Sequence, residues 1–175
     1  IGSNKFTDRF NTKAVICVVR DPRNLITSLA HHYEMNLEGA FSFLINKRKI
    51  IFPQSLARDN KLKNRPEDFN FLTDWSGHYI SWKNINFCPI KIIKYEDLMF
   101  DTESIFISTL EFLSKFLKLK LDKKKIANTL RSTNFENLSK MESNEGFQEA
   151  IISPKTKKKI KFFNLGKKNN WSKLL

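Results

Sequence analysis

The chain contains little cysteine and no long apolar run, and each shortage excludes a class of protein. Its two cysteines, Cys17 and Cys88, lie far apart without the paired spacing of a zinc site or a redox motif. We therefore expect buried, reduced thiols and no metal. No apolar run has membrane-spanning length, and no segment after Ile1 has the pattern of a signal peptide. These absences predict a cytoplasmic protein with no membrane span.

Acidic residues are also scarce. The sequence has 18 Asp and Glu against 31 Lys and Arg, a formal net charge of +13. An excess of this kind attracts phosphate and is typical of nucleic-acid-binding proteins. The lysines, however, are spread over residues 115–125 and 155–168 and are not interleaved with aromatic side chains on one face. The pattern favours a solvated basic surface with one functional anion site and no specific nucleic-acid partner.

What the chain does contain indicates a folded protein. Its composition is 41% hydrophobic and 13% aromatic, and 175 residues are enough to bury a core. We expect residues 1–175 to form one domain. Because the chain begins without methionine at Ile1 and stops at Leu175, we expect that domain to be truncated at both ends.

The hydrophobic pattern predicts an α/β fold with a parallel sheet flanked by helices. Residues 14–19 form a continuous apolar, β-branched run that fits a strand buried on both faces, and residues 90–95 form a second strand. Asp21 and Pro22 suit the cap and first turn of a helix. Further helices are predicted at residues 37–46, 71–85, 105–117, 123–130 and 135–140, and loops at 47–68 and from 143 to 162. Strand, helices, strand, helix is the order of parallel sheets with crossover helices.

Arg20 follows the first predicted strand, at the edge where open α/β sheets bind ligands. The next helix begins there with unpaired N–H groups, and Ser28, about two turns on, adds a hydroxyl donor. A planar guanidinium suits bidentate binding of phosphate. A structural ion pair of Arg20 with Asp21, Glu34 or Glu96 accounts for the residue equally well, so this segment alone leaves both interpretations open.

Five segments, in order along the chain, resemble motifs of the sulfotransferases that use 3′-phosphoadenosine 5′-phosphosulfate (PAPS). Three of them are Val18-Val19-Arg20-Asp21-Pro22-Arg23-Asn24 with Ser28, similar to the 3′-phosphate motif; Trp75-Ser76-Gly77-His78 with Trp82, similar to W-x-x-H-x-x-x-W; and Ile92-Ile93-Lys94-Tyr95-Glu96-Asp97-Leu98, similar to a strand ending in Y-E-D-L. The other two are Ser132-Thr133-Asn134-Phe135-Glu136, similar to the T-S-F element, and residues 162–173, similar to R-K-G-x-x-G-D-W-K.

The resemblance implies a partial P-loop-kinase-like sulfotransferase fold. It implies transfer of a sulfuryl group from PAPS to a hydroxyl or amine of a small-molecule or glycan acceptor, with 3′-phosphoadenosine 5′-phosphate (PAP) as product. Arg20 and Ser28 are the implied ligands of the 3′-phosphate. The other implied cofactor-binding residues are Ser76, Thr133, Phe135, Gly166 and Lys167.

No catalytic residue is assigned. The resemblance implies that the 5′-phosphosulfate loop and the catalytic histidine lie upstream of Ile1, so we expect the isolated chain to be inactive. Residues 164–166 read Asn-Leu-Gly where the family has Arg-Lys-Gly, and Lys167 or Lys168 is a candidate substitute for the missing arginine. Ser76 stands where many relatives carry an aromatic residue, and Asn170 replaces the usual aspartate.

The histidines and the acidic residues after the second strand are given other roles. His31 and His32 are candidates for lining the acceptor pocket, and His78 for bracing its helix against Asp97 or a backbone carbonyl. The acidic residues of Tyr95-Glu96-Asp97 are predicted to cap the next helix and brace the basic loops, not to act as acid–base groups.

Two other classes remain open. A P-loop-type nucleotide or nucleoside kinase shares the architecture and the anion-binding arginine, and a basic nucleic-acid-binding module accounts for the charge. Neither accounts for the W-x-x-H and Y-E-D-L elements. The acceptor is set by variable loops such as residues 47–68.

Overall fold

The structure is a computed structural model that describes residues 9–51, 70–153 and 155–175. Within these ranges the chain forms four strands, eight α-helices and one short 3₁₀ helix. None of these helices combines the length and the apolar composition needed to cross a bilayer. Most of the predicted loop at 47–68 lies outside the described residues.

The two long strands pair in parallel, as predicted. Strand β1 (Val15–Val19) lies beside β4 (Ile90–Lys94), with Cys17 opposite Ile92. Because the strands run in the same direction and end in register, the residues that follow them, Arg20 and Tyr95, lie at the same edge of the sheet. The fold class is therefore α/β, with a small parallel sheet flanked by helices.

The prediction that the first strand is buried on both faces is wrong for the described residues. Exposure alternates along β1, and Ile16 and Val18 on one face keep 39% and 54% of their surface exposed. On β4, Ile93 is buried. A continuous apolar run does not record which face the rest of the chain covers, so it over-predicted burial.

The first two helices follow β1 directly. Helix α1 (Pro22–His32) begins where predicted, because the Asp21 side chain caps it by accepting a hydrogen bond from the Arg23 N–H at 2.9 Å. Helix α2 (Leu37–Ile45) packs against α1. Its Ala40 is fully buried. The small side chain fits the close packing of the pair.

The region between α2 and β4 differs most from the prediction. Strands β2 (Ile50–Ile51) and β3 (Asn70–Phe71) pair antiparallel, although loop and helix were predicted there. Helix α3 (Trp75–Lys83) is shorter than the predicted 71–85. It begins at Trp75 because Asp74 caps it, accepting from the Gly77 N–H at 2.8 Å.

The predicted helices of the second half are confirmed with different ends. Helix α5 (Thr102–Ser114) starts before residue 105 because Asp101 caps it, accepting from the Ser104 N–H at 3.1 Å. Helix α7 (Phe135–Glu145) continues past residue 140 and is capped by Gly146, whose φ is +80°. Two short helices, α4 and α8, were not predicted. The elements are α4 (Tyr95–Phe100), α5 (Thr102–Ser114), α6 (Lys123–Ser132), α7 (Phe135–Glu145), a 3₁₀ helix (Gly166–Lys168) and α8 (Trp171–Leu174).

Both cysteines are free thiols, as predicted, but each is only half-buried. Burial raises the pKa of the Cys17 thiol above its usual value. A raised pKa disfavours the thiolate, which is the reactive form. Burial therefore disfavours the reactive form of Cys17 on the β1 strand.

Candidate functional site

Arg20 lies at the carboxyl edge of the sheet and is held from two sides. Its Nη1 donates a hydrogen bond to Ser28 Oγ at 2.9 Å. Its guanidinium carbon lies 4.4 Å from the centre of the Tyr95 ring, a cation–π contact. Because Tyr95 directly follows β4 and Ser28 lies on α1, the strand ends and the helix together fix the guanidinium.

None of the three carboxylates suggested as ion-pair partners pairs with Arg20. Asp21 forms its ion pair with Arg23, at 2.6 Å. Glu96 accepts hydrogen bonds from the start of α1. One carboxylate oxygen of Glu34 is buried without a hydrogen-bond partner among the described residues. In this part of the chain the guanidinium therefore keeps its charge uncompensated, which favours the anion-site interpretation over the structural ion pair.

Glu96 braces the beginning of α1. Its Oε1 accepts from the Asp21 N–H at 3.1 Å and from the Asn24 side-chain amide at 3.3 Å. The sequence predicted a bracing role for this acidic cluster, but with the following helix as the capped element. Asp101 caps α5 instead, so Glu96 serves the helix that carries Ser28.

Asn24 joins α1 to the carboxyl-terminal segment. It is buried, with 9% of its surface exposed, and its Oδ1 accepts from the Trp171 N–H at 2.9 Å. The Arg23 guanidinium lies 4.0 Å from the Trp171 ring centre. Helix α8 is thereby fixed beside the first turn of α1.

Asn169 contacts α1, and the sequence did not predict this contact. Its Nδ2 donates to Ser28 Oγ at 2.9 Å and to the Asn24 carbonyl at 3.1 Å, and its Oδ1 accepts from Thr27 Oγ1 at 2.6 Å. The motif that residues 162–173 resemble has glycine at this position, which has no side chain. No signal in the sequence could have identified Asn169 as part of the site.

The structure brings together Phe135 and Gly166, two of the residues implied by the resemblance. Gly166 has a φ of +53°, and a Cβ added there would lie 2.9 Å from the Phe135 ring. Glycine is therefore required for the 3₁₀ turn to contact this ring. Lys167 and Lys168 are exposed on the same turn, so the turn carries positive charge.

Thr133 and Ser76 lie apart from the hydrogen bonds around Arg20. Thr133 ends α6, and its hydroxyl donates to the Thr129 carbonyl at 2.7 Å. Ser76 is exposed in the first turn of α3. No hydrogen bond or ring contact joins either residue to Arg20 within the described ranges.

His31 and His32 contact the carboxyl-terminal segment. His31 Nε2 is hydrogen-bonded to the Lys161 carbonyl at 2.8 Å. The His32 ring lies edge-on to Tyr33 and Phe162, with centroids 4.7 and 6.1 Å away. Burial, and then the charge of His31, lower the pKa of His32. The contacts are structural, and the role in the acceptor pocket stays a prediction.

His78 does brace its helix, but not against Asp97 or a carbonyl. Its Nε2 faces the Trp82 Nε1–H at 3.1 Å, one turn further along α3. Trp Nε1–H is a donor only, so the imidazole nitrogen accepts and must be unprotonated. Burial lowers the pKa of His78 and favours that form.

Chemically, the edge of the sheet offers donors for an anion. Arg20 has five N–H groups; one donates to Ser28, and the Nε–H is buried without a hydrogen-bond partner among the described residues. The beginning of α1 adds the partial positive charge of a helix N terminus. In the described part of the chain, no three His, Cys, Asp or Glu side chains gather as metal ligands.

An arginine and a serine at the carboxyl edge of a parallel sheet, beside a helix N terminus, form a candidate anion site in an α/β protein. A family profile described as Sulfotransferase domain matches residues 7–175. The chain belongs to the sulfotransferase family. A sulfotransferase domain supports sulfuryl transfer in general and indicates a transferase. A comparison with curated proteins finds no match.

Proposed function

We propose that the protein transfers a sulfuryl group from PAPS to a hydroxyl or amine of a small-molecule or glycan acceptor. The observation that supports this donor is the Arg20 guanidinium, held by Ser28 and Tyr95 and paired with no carboxylate among the described residues. A phosphate fits bidentate donation by arginine, and the resemblance implies that the phosphate bound by Arg20 is the 3′-phosphate of PAPS.

The residues that we propose to bind the sulfuryl donor have separate roles. Arg20 and Ser28 bind the 3′-phosphate, while Thr133 and Phe135 lie toward the adenosine. Gly166 allows the 3₁₀ turn to approach the Phe135 ring. Ser76 and Lys167 are the remaining residues that we propose to bind the donor. When bound, PAPS supplies the sulfuryl group and a phosphate leaving group on which negative charge builds.

Binding at a remote phosphate contributes to rate by positioning. Contacts far from the reacting atoms fix the orientation of the transferred group and offset the entropy that alignment costs. Arg20 is suited to this because its orientation is set before ligand arrives, by the Ser28 hydroxyl and the Tyr95 ring. We propose no catalytic base, since His31 and His32 are engaged with the carboxyl-terminal segment.

We further propose that the parallel sheet is part of a P-loop-kinase-like fold and that the protein acts in the cytoplasm. A reducing compartment keeps thiols free, and both Cys17 and Cys88 are unpaired. Labelling of both thiols in protein taken directly from cells tests this assignment. A disulfide between them would contradict it.

Ligand binding tests the proposed donor. We expect calorimetric titration of the whole natural protein to show an affinity for PAP at least about tenfold higher than that for adenosine 5′-phosphate, which lacks the 3′ group. ATP and a random oligonucleotide serve as controls for the kinase and nucleic-acid alternatives. Preference for ATP, or oligonucleotide binding that persists at physiological salt, would contradict the proposal. PAP release with PAPS and a panel of phenols, alcohols, amines and glycans then identifies the acceptor.

A further inference from the structure

The Ser28 hydroxyl receives two hydrogen bonds, and this fixes the direction of its own hydrogen. Arg20 Nη1 and Asn169 Nδ2 both lie 2.9 Å from Ser28 Oγ. Both groups are donors only. A hydroxyl oxygen accepts through two lone pairs and carries one hydrogen. With both lone pairs in use, the hydrogen must point in a third direction, and no acceptor for it lies among the described residues.

The orientation of the Asn169 amide is determined by its other neighbours. Its second N–H faces the Asn24 carbonyl at 3.1 Å, and its oxygen faces the Thr27 hydroxyl at 2.6 Å. Exchanging the amide oxygen and nitrogen would put two oxygens, Oδ1 and the Asn24 carbonyl, against each other with no hydrogen between them. The amide nitrogen therefore faces Ser28.

We propose that Asn169 is a positioning residue that aims the Ser28 hydroxyl at the anion bound by Arg20. By occupying the second lone pair of Ser28 Oγ, Asn169 leaves the hydroxyl only a donating role. The inference rests on the proposed function, because it takes the anion to be the 3′-phosphate. It assigns to an asparagine part of the work of the arginine that is missing at position 164.

A purely structural role for Asn169 is the competing explanation. The carboxyl-terminal segment has a second attachment to α1, through the Trp171 N–H bound to Asn24 and the Trp171 ring over Arg23. Because this attachment does not involve Ser28, the segment stays on α1 when Asn169 is shortened. We therefore expect Asn169→Ala to fold.

Two substitutions in the whole natural protein test the proposal, with PAP and adenosine 5′-phosphate as probes. Asn169→Ala should weaken PAP binding about 3- to 10-fold, the size of one neutral hydrogen bond, and leave adenosine 5′-phosphate unchanged. Asn169→Asp is isosteric, but its carboxylate accepts the Ser28 hydrogen and repels the phosphate. It should weaken PAP binding more than Asn169→Ala does. If Asn169→Ala melts too low for titration, Asn169→Asp carries the test.

A double substitution separates positioning from structure. If Asn169 acts through Ser28, adding Asn169→Ala to Ser28→Ala should cost no further preference for PAP over adenosine 5′-phosphate. The same fold loss in both backgrounds would overturn the proposal. Asn170→Ala is the matched control, because Asn170 caps α8 through the Ser172 N–H at 3.1 Å, and it should affect both ligands equally.

The two proposals fail in different ways. A wild-type protein without preference for PAP would overturn the proposed donor. A wild-type protein that prefers PAP, with both Asn169 variants keeping the full preference, would overturn the role of Asn169 alone.

Discussion

The beginnings of α1 and α3 are built alike, each with an aspartate cap and a motif of the family, but their side chains find partners at different distances in sequence. Around α1, Glu96 and Asn169 reach the helix from 72 and 141 residues away. Around α3, the side-chain hydrogen bonds and ring contacts of the described residues stay local: Trp82 donates to His78 within the same helix, and Trp75 stacks on Tyr79 with centroids 5.7 Å apart.

This difference separates the helix that carries the proposed 3′-phosphate contacts from a helix whose hydrogen bonds and ring contacts, among the described residues, are local. At α1, the strand end, the following helix and the carboxyl-terminal segment meet at Ser28, so a change there alters what the site binds. At α3, the side-chain hydrogen bonds and ring contacts among the described residues lie within the helix and its cap. Substitutions of these contacts should therefore differ in kind: loss of the preference for PAP at α1, and loss of stability without loss of that preference at α3.

The largest effect is expected at Arg20. Arg20→Ala removes a charge-assisted, bidentate contact, and PAP binding should weaken by about 1.5–3 kcal/mol. Binding of adenosine 5′-phosphate should not change, because it lacks the group that Arg20 contacts. Calorimetric titration of both ligands measures the difference.

Arg23→Ala is the matched control for Arg20. Arg23 is exposed and paired with Asp21, and exposed ion pairs of this kind contribute little to stability. Its substitution should change both ligands equally. Equal losses for both ligands in Arg20→Ala would show that Arg20 has a structural role.

The next largest effect is on stability, at Glu96. Glu96→Ala leaves the Asp21 N–H and the Asn24 amide without their acceptor, which should lower the free energy of unfolding by about 1–3 kcal/mol. Urea unfolding measures it. Asp97→Ala changes an exposed neighbouring acid and should stay within about 0.5 kcal/mol of wild type. Equal losses for Glu96→Ala and Asp97→Ala would remove Glu96 from the support of the site.

The parts of this site that are local in sequence were predictable. Asp21 and Pro22 mark the beginning of α1, and a helix brings Ser28 back toward Arg20 about two turns earlier. The parallel pairing of the two long strands followed from the alternation of strand and helix. The cap and the helix need only neighbouring residues, and the parallel pairing needs only the order of the elements along the chain.

The parts that depend on distant contacts were not predictable. Asn169 and Glu96 reach α1 only once the chain has folded, and neither side chain has a local pattern that records its partner. Strands β2 and β3 are two residues each, too short for alternation to appear. The exposed face of Ile16 and Val18 was missed because an apolar run is the same whichever face is covered.

A smaller effect is expected at the cap of α3. Asp74→Ala removes the acceptor of the Gly77 N–H and should lower the free energy of unfolding by about 0.5–2 kcal/mol. The preference for PAP over adenosine 5′-phosphate should not change. A lost preference would make α3 part of the anion site and would end the contrast between the two helices. Asp74→Asn, which keeps a capping oxygen, should retain most of the stability.

The smallest effect is the pH dependence that His78 gives to α3. Burial lowers the pKa of His78 below its ordinary value of 6.5, so the unfolded chain binds a proton more readily than the folded one. The stabilisation from the neutral ring is complete above about pH 6.5 and is lost as the pH falls through the folded pKa. Because His78 is only partly buried, solvent screens the effect, and the loss should be a fraction of the roughly 1.4 kcal/mol that one pKa unit represents. Urea unfolding at pH 7.5 and 5.5 should therefore show a small drop in the free energy of unfolding for wild type and a smaller drop for His78→Gln, which keeps an acceptor for the Trp82 N–H but does not titrate.

The carboxyl groups with lowered pKa values do not mask this effect of His78. The carboxyls of Asp21 and Asp101, whose pKa values are lowered from 3.8, lose their contributions to stability only below pH 5.5. An identical pH dependence in wild type and His78→Gln would show that another group, such as His32, titrates here.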